Sequence, residues 1–119
     1  MPALPKRSGA SDQDRRKLED VLATVSKASG VEVPAKVEKL FEPVGCEKCK
    51  NLGYSGRIAV AEIMAMSPAL EEMVSRFMIT SEIERQAISE GMLTMTQDAA
   101  IRVVNGETSI AEAARSTEL

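Results

Sequence analysis

The chain has 119 residues, 44 % hydrophobic and 28 % charged, which fits one globular domain, or one with a tail, and excludes wholesale disorder. It has no His and two Cys, so it carries neither a His general base nor a four-ligand Cys/His zinc site of its own. Residues 1–50 hold ten Lys and Arg against eight Asp and Glu, residues 51–119 hold five against ten, and the net charge is −3.

The acidic second half argues against nucleic acid as a partner, because a phosphate backbone requires a broad basic face. Lys6, Arg7, Arg15, Arg16 and Lys17 read as solvated surface. Aromatic residues are 3 % and Met number seven, so the core is expected to be aliphatic and Met side chains on helices. No apolar run approaches the roughly 20 residues of a membrane span, and no apolar stretch follows the first charges as in a signal peptide. A cytosolic setting with both Cys as thiols is the expectation.

In chain order, residues 1–10 read as a flexible tail or linker, from two Pro, a Gly and two cations. Residues 11–29 read as a helix, with Ser11 as cap and Leu18, Val21, Leu22 and Val25 on one face. Residues 31–34 form an extended connector, because Pro34 disfavours helix at Val33. Residues 39–64 are expected to be a hairpin, with strands at 39–44 and 57–64 joined by a glycine-rich loop carrying Cys46 and Cys49.

Residues 67–117 read as short helices. Ser67-Pro68 opens the first, with Leu70, Met73, Val74 and Phe77 at helical spacing; Leu70→Ala and Val74→Ala should both be costly if that stripe is core. Ser81/Glu84 and Thr94/Gln97 fit capping boxes, and Ser109 with Glu112 opens a last helix. Gly91 and Asn105-Gly106 act as stops. The fold class so predicted is α+β, mostly α, with a small two-stranded hairpin bearing the CxxC loop, one preceding helix and a cluster of short C-terminal helices.

Cys46-x-x-Cys49 has the spacing of a zinc knuckle but supplies only half a site. A thioredoxin-like role is disfavoured, because the pair does not sit between a strand and a helix in a βαβ unit. Gly53, Tyr54 and Gly56 read as a tight turn. Arg57, opening a strand, calls for a carboxylate partner; Glu62 is a candidate, although an odd separation sends the two to opposite strand faces. There is no GxxxxGK[ST] phosphate loop and no GxGxxG, so this chain is expected to be no enzyme on its own, with no catalytic and no cofactor-binding residue.

The ordered series Gly45-Cys46-Glu47-Lys48-Cys49, Gly53-Tyr54-Ser55-Gly56-Arg57-Ile58, Glu62-Ile63, Gly91-Met92, Thr94, Asp98 and Gly106-Glu107-Thr108-Ser109 resembles the C-terminal part of the type II secretion and type IV pilus assembly ATPases. The resemblance covers roughly residues 39–117. It implies a cytoplasmic hexameric ATPase, peripheral to the bacterial inner membrane, that powers pilus assembly or protein secretion. The ATP- and Mg-binding motifs would lie upstream, in the parent protein only, and this chain would be its excised accessory domain at 11–117. Its partners would be the parent ATPase core, neighbouring hexamer subunits and, indirectly, the inner-membrane platform protein.

Many family members also join an upstream CxxC to the pair matching Cys46 and Cys49, forming a four-thiolate zinc site. Here that pair would fall near Leu4-Pro5-Lys6-Arg7, where no Cys stands. Either the cut removed it or this protein lost it; with loss favoured, no zinc is expected and Cys46/Cys49 remain as a relic turn. The alternative is a stand-alone zinc-ribbon-like adaptor for protein or nucleic acid, with one Cys pair from each of two chains. A free-standing regulator capping the ATPase ring is the third reading.

Overall fold

The computed structural model describes residues 5–8, 12–34, 36–37, 40–43, 47, 54 and 56–119. Strand β1 is Pro5–Ser8, helix α1 is Asp12–Ala23, and a 3-10 turn follows at Lys27–Ser29. Strand β2 is Leu40–Pro43, and helices α2 (Pro68–Ser75), α3 (Thr80–Ser89), α4 (Met95–Val104) and α5 (Ile110–Ala114) complete the order.

The structure overturns the hairpin. β2 pairs antiparallel with β1, Pro5 opposite Pro43 and Ser8 opposite Leu40, so its partner lies on the far side of α1 in sequence. Residues 57–64, read as the second strand, take no strand structure. Their apolar residues do not alternate cleanly: Ile58, Ile63 and Met64 are all exposed and only Val60 packs on the core, so no buried face sets a register. The protein is predominantly helical, with five α-helices among the described residues and one short strand pair. Pro5–Ser8 falls within the expected tail; Pro5 and Pro43 oppose each other at one end of the pair, a terminal position where the lack of a ladder N–H is tolerated.

The core forms where α1, β2 and α5 pack on α4. It comprises Leu18 and Leu22 of α1, Val37, Leu40, Ala99, Ala100 and Val103 of α4, and Ala113 of α5. Small Ala side chains on α4 let neighbouring elements approach closely. Met does not fill this core: Met64, Met66, Met78 and Met95 are exposed, Met73 and Met92 half-buried. The backbone N–H of Val37 donates to Glu19 Oε1 at 2.9 Å, and Gln97 Nε2 donates to Thr24 Oγ1 at 2.8 Å, fastening α1 to the connector and to α4.

Helix α1 stops six residues earlier than 29. Thr24 turns its hydroxyl back to the Val21 carbonyl, and Ser26 caps the separate 3-10 turn, which closes on Gly30 at φ 73°. Downstream caps follow the sequence signals. Ser67 caps α2, Thr94 and Gln97 form a reciprocal capping box on α4, and Ser109 caps α5. The exception is α3, which begins at Thr80 behind Ile79 with no side-chain cap, one residue ahead of the Ser81/Glu84 box.

Helices α2 and α3 pack on each other and bury only Leu70 and Ala87. The expected α2 stripe is therefore not core. Leu70 is buried and Met73 half-buried, whereas Val74 and Phe77 face solvent.

Candidate functional site

The chemically distinctive residues converge where the segment leading to α2 crosses the starts of α4 and α5. An α-helix begins with N–H groups that have no partner in the helix, and its dipole favours negative charge there. Helix α4 meets both demands with carboxylates. Glu62 Oε2 accepts from the backbone N–H of Met95, the first helical residue, at 2.9 Å. Asp98, in the first turn, accepts the backbone N–H of Ala61 on its Oδ2 at 3.1 Å. The two bonds run in opposite directions across the same joint. Residue 62 feeds a carboxylate to the helix, and the helix returns one to residue 61.

The same Asp98 oxygen accepts from Arg102 Nε at 3.3 Å, and the Arg102 guanidinium reaches Glu107 Oε1 at 3.4 Å. Arg102 therefore links the start of α4 to the turn after it, where Gly106 adopts φ 81°. Beyond that turn Thr108 and Ser109 are buried. Ser109 Oγ accepts the backbone N–H of Glu112 at the start of α5 and also hydrogen-bonds the Tyr54 hydroxyl. One hydroxyl thus caps a helix and anchors a residue 55 positions away.

Of the singled-out residues, Tyr54 and Glu62 enter this clasp directly. Gly56 sits between them at φ 72°, a backbone conformation that disfavours side chains. Arg57 is exposed and forms no ion pair among the described residues; the Glu62 carboxylate is engaged by α4 instead. Arg57 lines a cleft of about 260 Å³ with Val60, Arg102, Thr108 and Glu112. Cys46, Cys49 and Gly53 lie outside the described residues, as does the loop between them apart from Glu47. Among the described residues no cluster of three or more His, Cys, Asp or Glu could hold a metal ion.

Sequence reasoning named the residues of the clasp but missed two of its bonds. Ser109 was legible as a cap for α5 but not as the partner of Tyr54, and Glu62 was not legible as the acceptor for α4. Both bonds join residues more than 30 positions apart, which no local spacing encodes. The arrangement is a fastening. Its carboxylates and its serine accept backbone N–H groups or pair with Arg102, and no nucleophile at the joint faces a free base.

A second close approach lies at the end of α3. Gly91 adopts φ 111°, and a Cβ built there would sit 2.6 Å from the carbonyl oxygen of Ala28 in the 3-10 turn. Gly91 is thus required both by its own backbone and by its neighbour's.

The family described as Type II/IV secretion system protein matches residues 15–115. Type IV pilus assembly ATPase PilB of Pseudomonas aeruginosa is 36 % identical over 80 residues, 67 % of this chain and 14 % of that protein. Type II secretion system protein E of Aeromonas hydrophila is 32 % identical over 90 residues, 76 % of this chain and 18 % of the relative. The corresponding protein of Xanthomonas campestris is 39 % identical over 66 residues, 56 % of this chain and 12 % of the relative. The chain thus spans less than a fifth of the length of these relatives. With 101 consecutive residues, 15 to 115, matched to its profile, the chain belongs to the type II/IV secretion system protein family.

Proposed function

We propose that this chain acts as a non-catalytic domain of a hexameric ATPase that powers type IV pilus assembly or type II secretion. The observation that carries the reading is the clasp. Family-type residues Tyr54, Glu62, Asp98 and Ser109 are spent on joining a crossing segment to two helix starts, not on reacting groups. Such a joint makes α4, α5 and the 54–62 segment move together, which suits a unit that packs on a motor core and transmits its nucleotide-driven motion. ATP and Mg would be held by the parent core. Its neighbours would be that core and adjacent subunits, with the inner-membrane platform reached indirectly. The parent would be attached peripherally on the cytoplasmic side of the inner membrane; no helix among the described residues is long and apolar enough to cross a membrane.

In this reading the chain holds no zinc of its own, since two thiolates fall short of the four ligands of a structural site. Titration of the purified chain with ATP and Mg should give no binding at micromolar nucleotide, and metal analysis should give no stoichiometric zinc. Tight Mg-dependent ATP binding would overturn the non-catalytic assignment. One zinc per two chains would favour a zinc-bridged adaptor instead.

A further inference from the structure

Arg57 and Thr108 belong to the same ordered motif series as Tyr54, Glu62, Asp98 and Ser109, yet neither side chain has a hydrogen bond or ion pair among the described residues. Thr108 stands one residue before the α5 cap and is only 8 % exposed. A buried hydroxyl with no partner is costly, and buried side-chain polar groups normally find one. The Thr108 hydroxyl is not sealed from solvent, and the residue lines the cleft of about 260 Å³ that Arg57 also lines. That cleft is the space into which the hydroxyl can bond.

Three charged side chains line it: Arg57, Arg102 and Glu112. Two of them are already matched. Arg102 is held by Asp98 at 3.3 Å and Glu107 at 3.4 Å, and Glu112 pairs with Arg115 at 3.1 Å. Arg57 is left as the lining charge that no described neighbour neutralises. The sequence asks for a carboxylate opposite Arg57, and Glu62 does not supply it, because α4 engages Glu62 instead. The rest of the wall is largely apolar. Ile58 and Val60 come from the crossing segment, Ala99 from α4 and Ala113 from α5. Ala99 and Ala113 are core residues, which makes that side of the cleft a firm floor. Its volume falls below the 300–1,000 Å³ or so of drug-sized pockets, so it admits a short group only.

From this geometry we infer that the Arg57–Thr108 cleft binds a short aliphatic carboxylate. The guanidinium of Arg57 offers a planar fork that matches two carboxylate oxygens, and the Thr108 hydroxyl donates to one of them. The aliphatic part lies against Ile58, Val60 and the two Ala. The charges select a monoanion. One cation is uncompensated, whereas Asp98 and Glu107 flank Arg102 and would repel the second charge of a phosphate dianion. A free short-chain acid and the C-terminal end of a polypeptide share this chemistry. Either one would bridge residues 57–60 to α4 and α5, the elements that the clasp already joins, so occupancy tightens that joint. The inference rests on no nucleotide chemistry, so it stands or falls apart from the ATPase assignment.

The experiment is an amide NMR titration of the full chain with hexanoate, acetyl-leucine, hexanol, acetyl-leucinamide and inorganic phosphate. Hexanoate or acetyl-leucine should bind with a millimolar or tighter dissociation constant, shifting the amides of residues 57–60 and Thr108. The tighter of the two names the source, free acid or chain end. Hexanol and acetyl-leucinamide, which lack the carboxylate, should not bind. Arg57→Gln should weaken binding about tenfold or more, and Thr108→Val about fivefold, as lost charge-assisted hydrogen bonds. Neither variant should lower the melting temperature, since Arg57 is exposed and the Thr108 hydroxyl has no partner to lose. Failure of both carboxylates to bind at millimolar concentration overturns the inference. So does equal binding of hexanol, which would make the cleft an apolar slot, and so does tighter binding of phosphate. Binding that Arg57→Gln leaves unchanged overturns it too. A Thr108→Val variant that melts lower also contradicts it, because the hydroxyl would then be bonded within the chain.

Discussion

Helices α4 and α2 have closely similar beginnings and different surroundings. Each opens on a hydroxyl cap, Thr94 or Ser67, carries an acidic residue in its first turn and ends in a Schellman turn. Yet α4 buries Ala99, Ala100 and Val103 beneath α1, β2 and α5, while α2 buries Leu70 alone and turns Val74 to solvent. Local sequence therefore makes both into helices, and tertiary contact decides which of them is held in place. Helices of eight to ten residues are marginal in isolation. The α4 region gains its stability from the shared core and from the clasp. The α2–α3 pair has little of either, and its Val74 and Phe77 face solvent.

That contrast can be attacked by substitution. Leu22→Ala, in the α1–α4 core, should cost about 2–5 kcal/mol by denaturant midpoint, through lost burial and the cavity left behind. Gly91→Ala should cost about 1–3 kcal/mol for the positive φ alone, with the Ala28 carbonyl adding to it, and a retained melting temperature would break the argument that α3 abuts the 3-10 turn. Ser109→Ala should cost about 0.5–2 kcal/mol as a lost cap. It should also release Tyr54, visible as a change in tyrosine fluorescence, the chain having one Tyr and no Trp. Val74→Ala, on the exposed side of α2, should fall within about 0.5 kcal/mol of wild type, and a loss as large as that of Leu22→Ala would erase the distinction between the two regions.

What the sequence disclosed obeys the same division. The caps at Ser67, Thr94 and Ser109 were readable because a cap and its helix lie within three residues. Leu18 and Leu22 were readable as sharing one helix face because helical spacing repeats over short distances. The pairing of 40–43 was not readable. A strand whose partner lies across an intervening helix carries no local mark of it, and the glycine-rich loop after Pro43 offered a nearer partner that the chain does not use. The α2 stripe misled for a related reason: apolar spacing announces a face that wants burial, and in this chain Val74 and Phe77 are not covered. The family resemblance was legible from ordered motifs, while the use of Glu62 and Ser109 as fasteners needed coordinates.

The most direct test is hydrogen exchange on the purified chain, with and without ATP and Mg. The account predicts slowest exchange in α4 and α1, faster exchange in α2, and no change on adding nucleotide. Equal protection of α2 and α4, or nucleotide-dependent protection at Glu62, Met95 and Asp98, would contradict it.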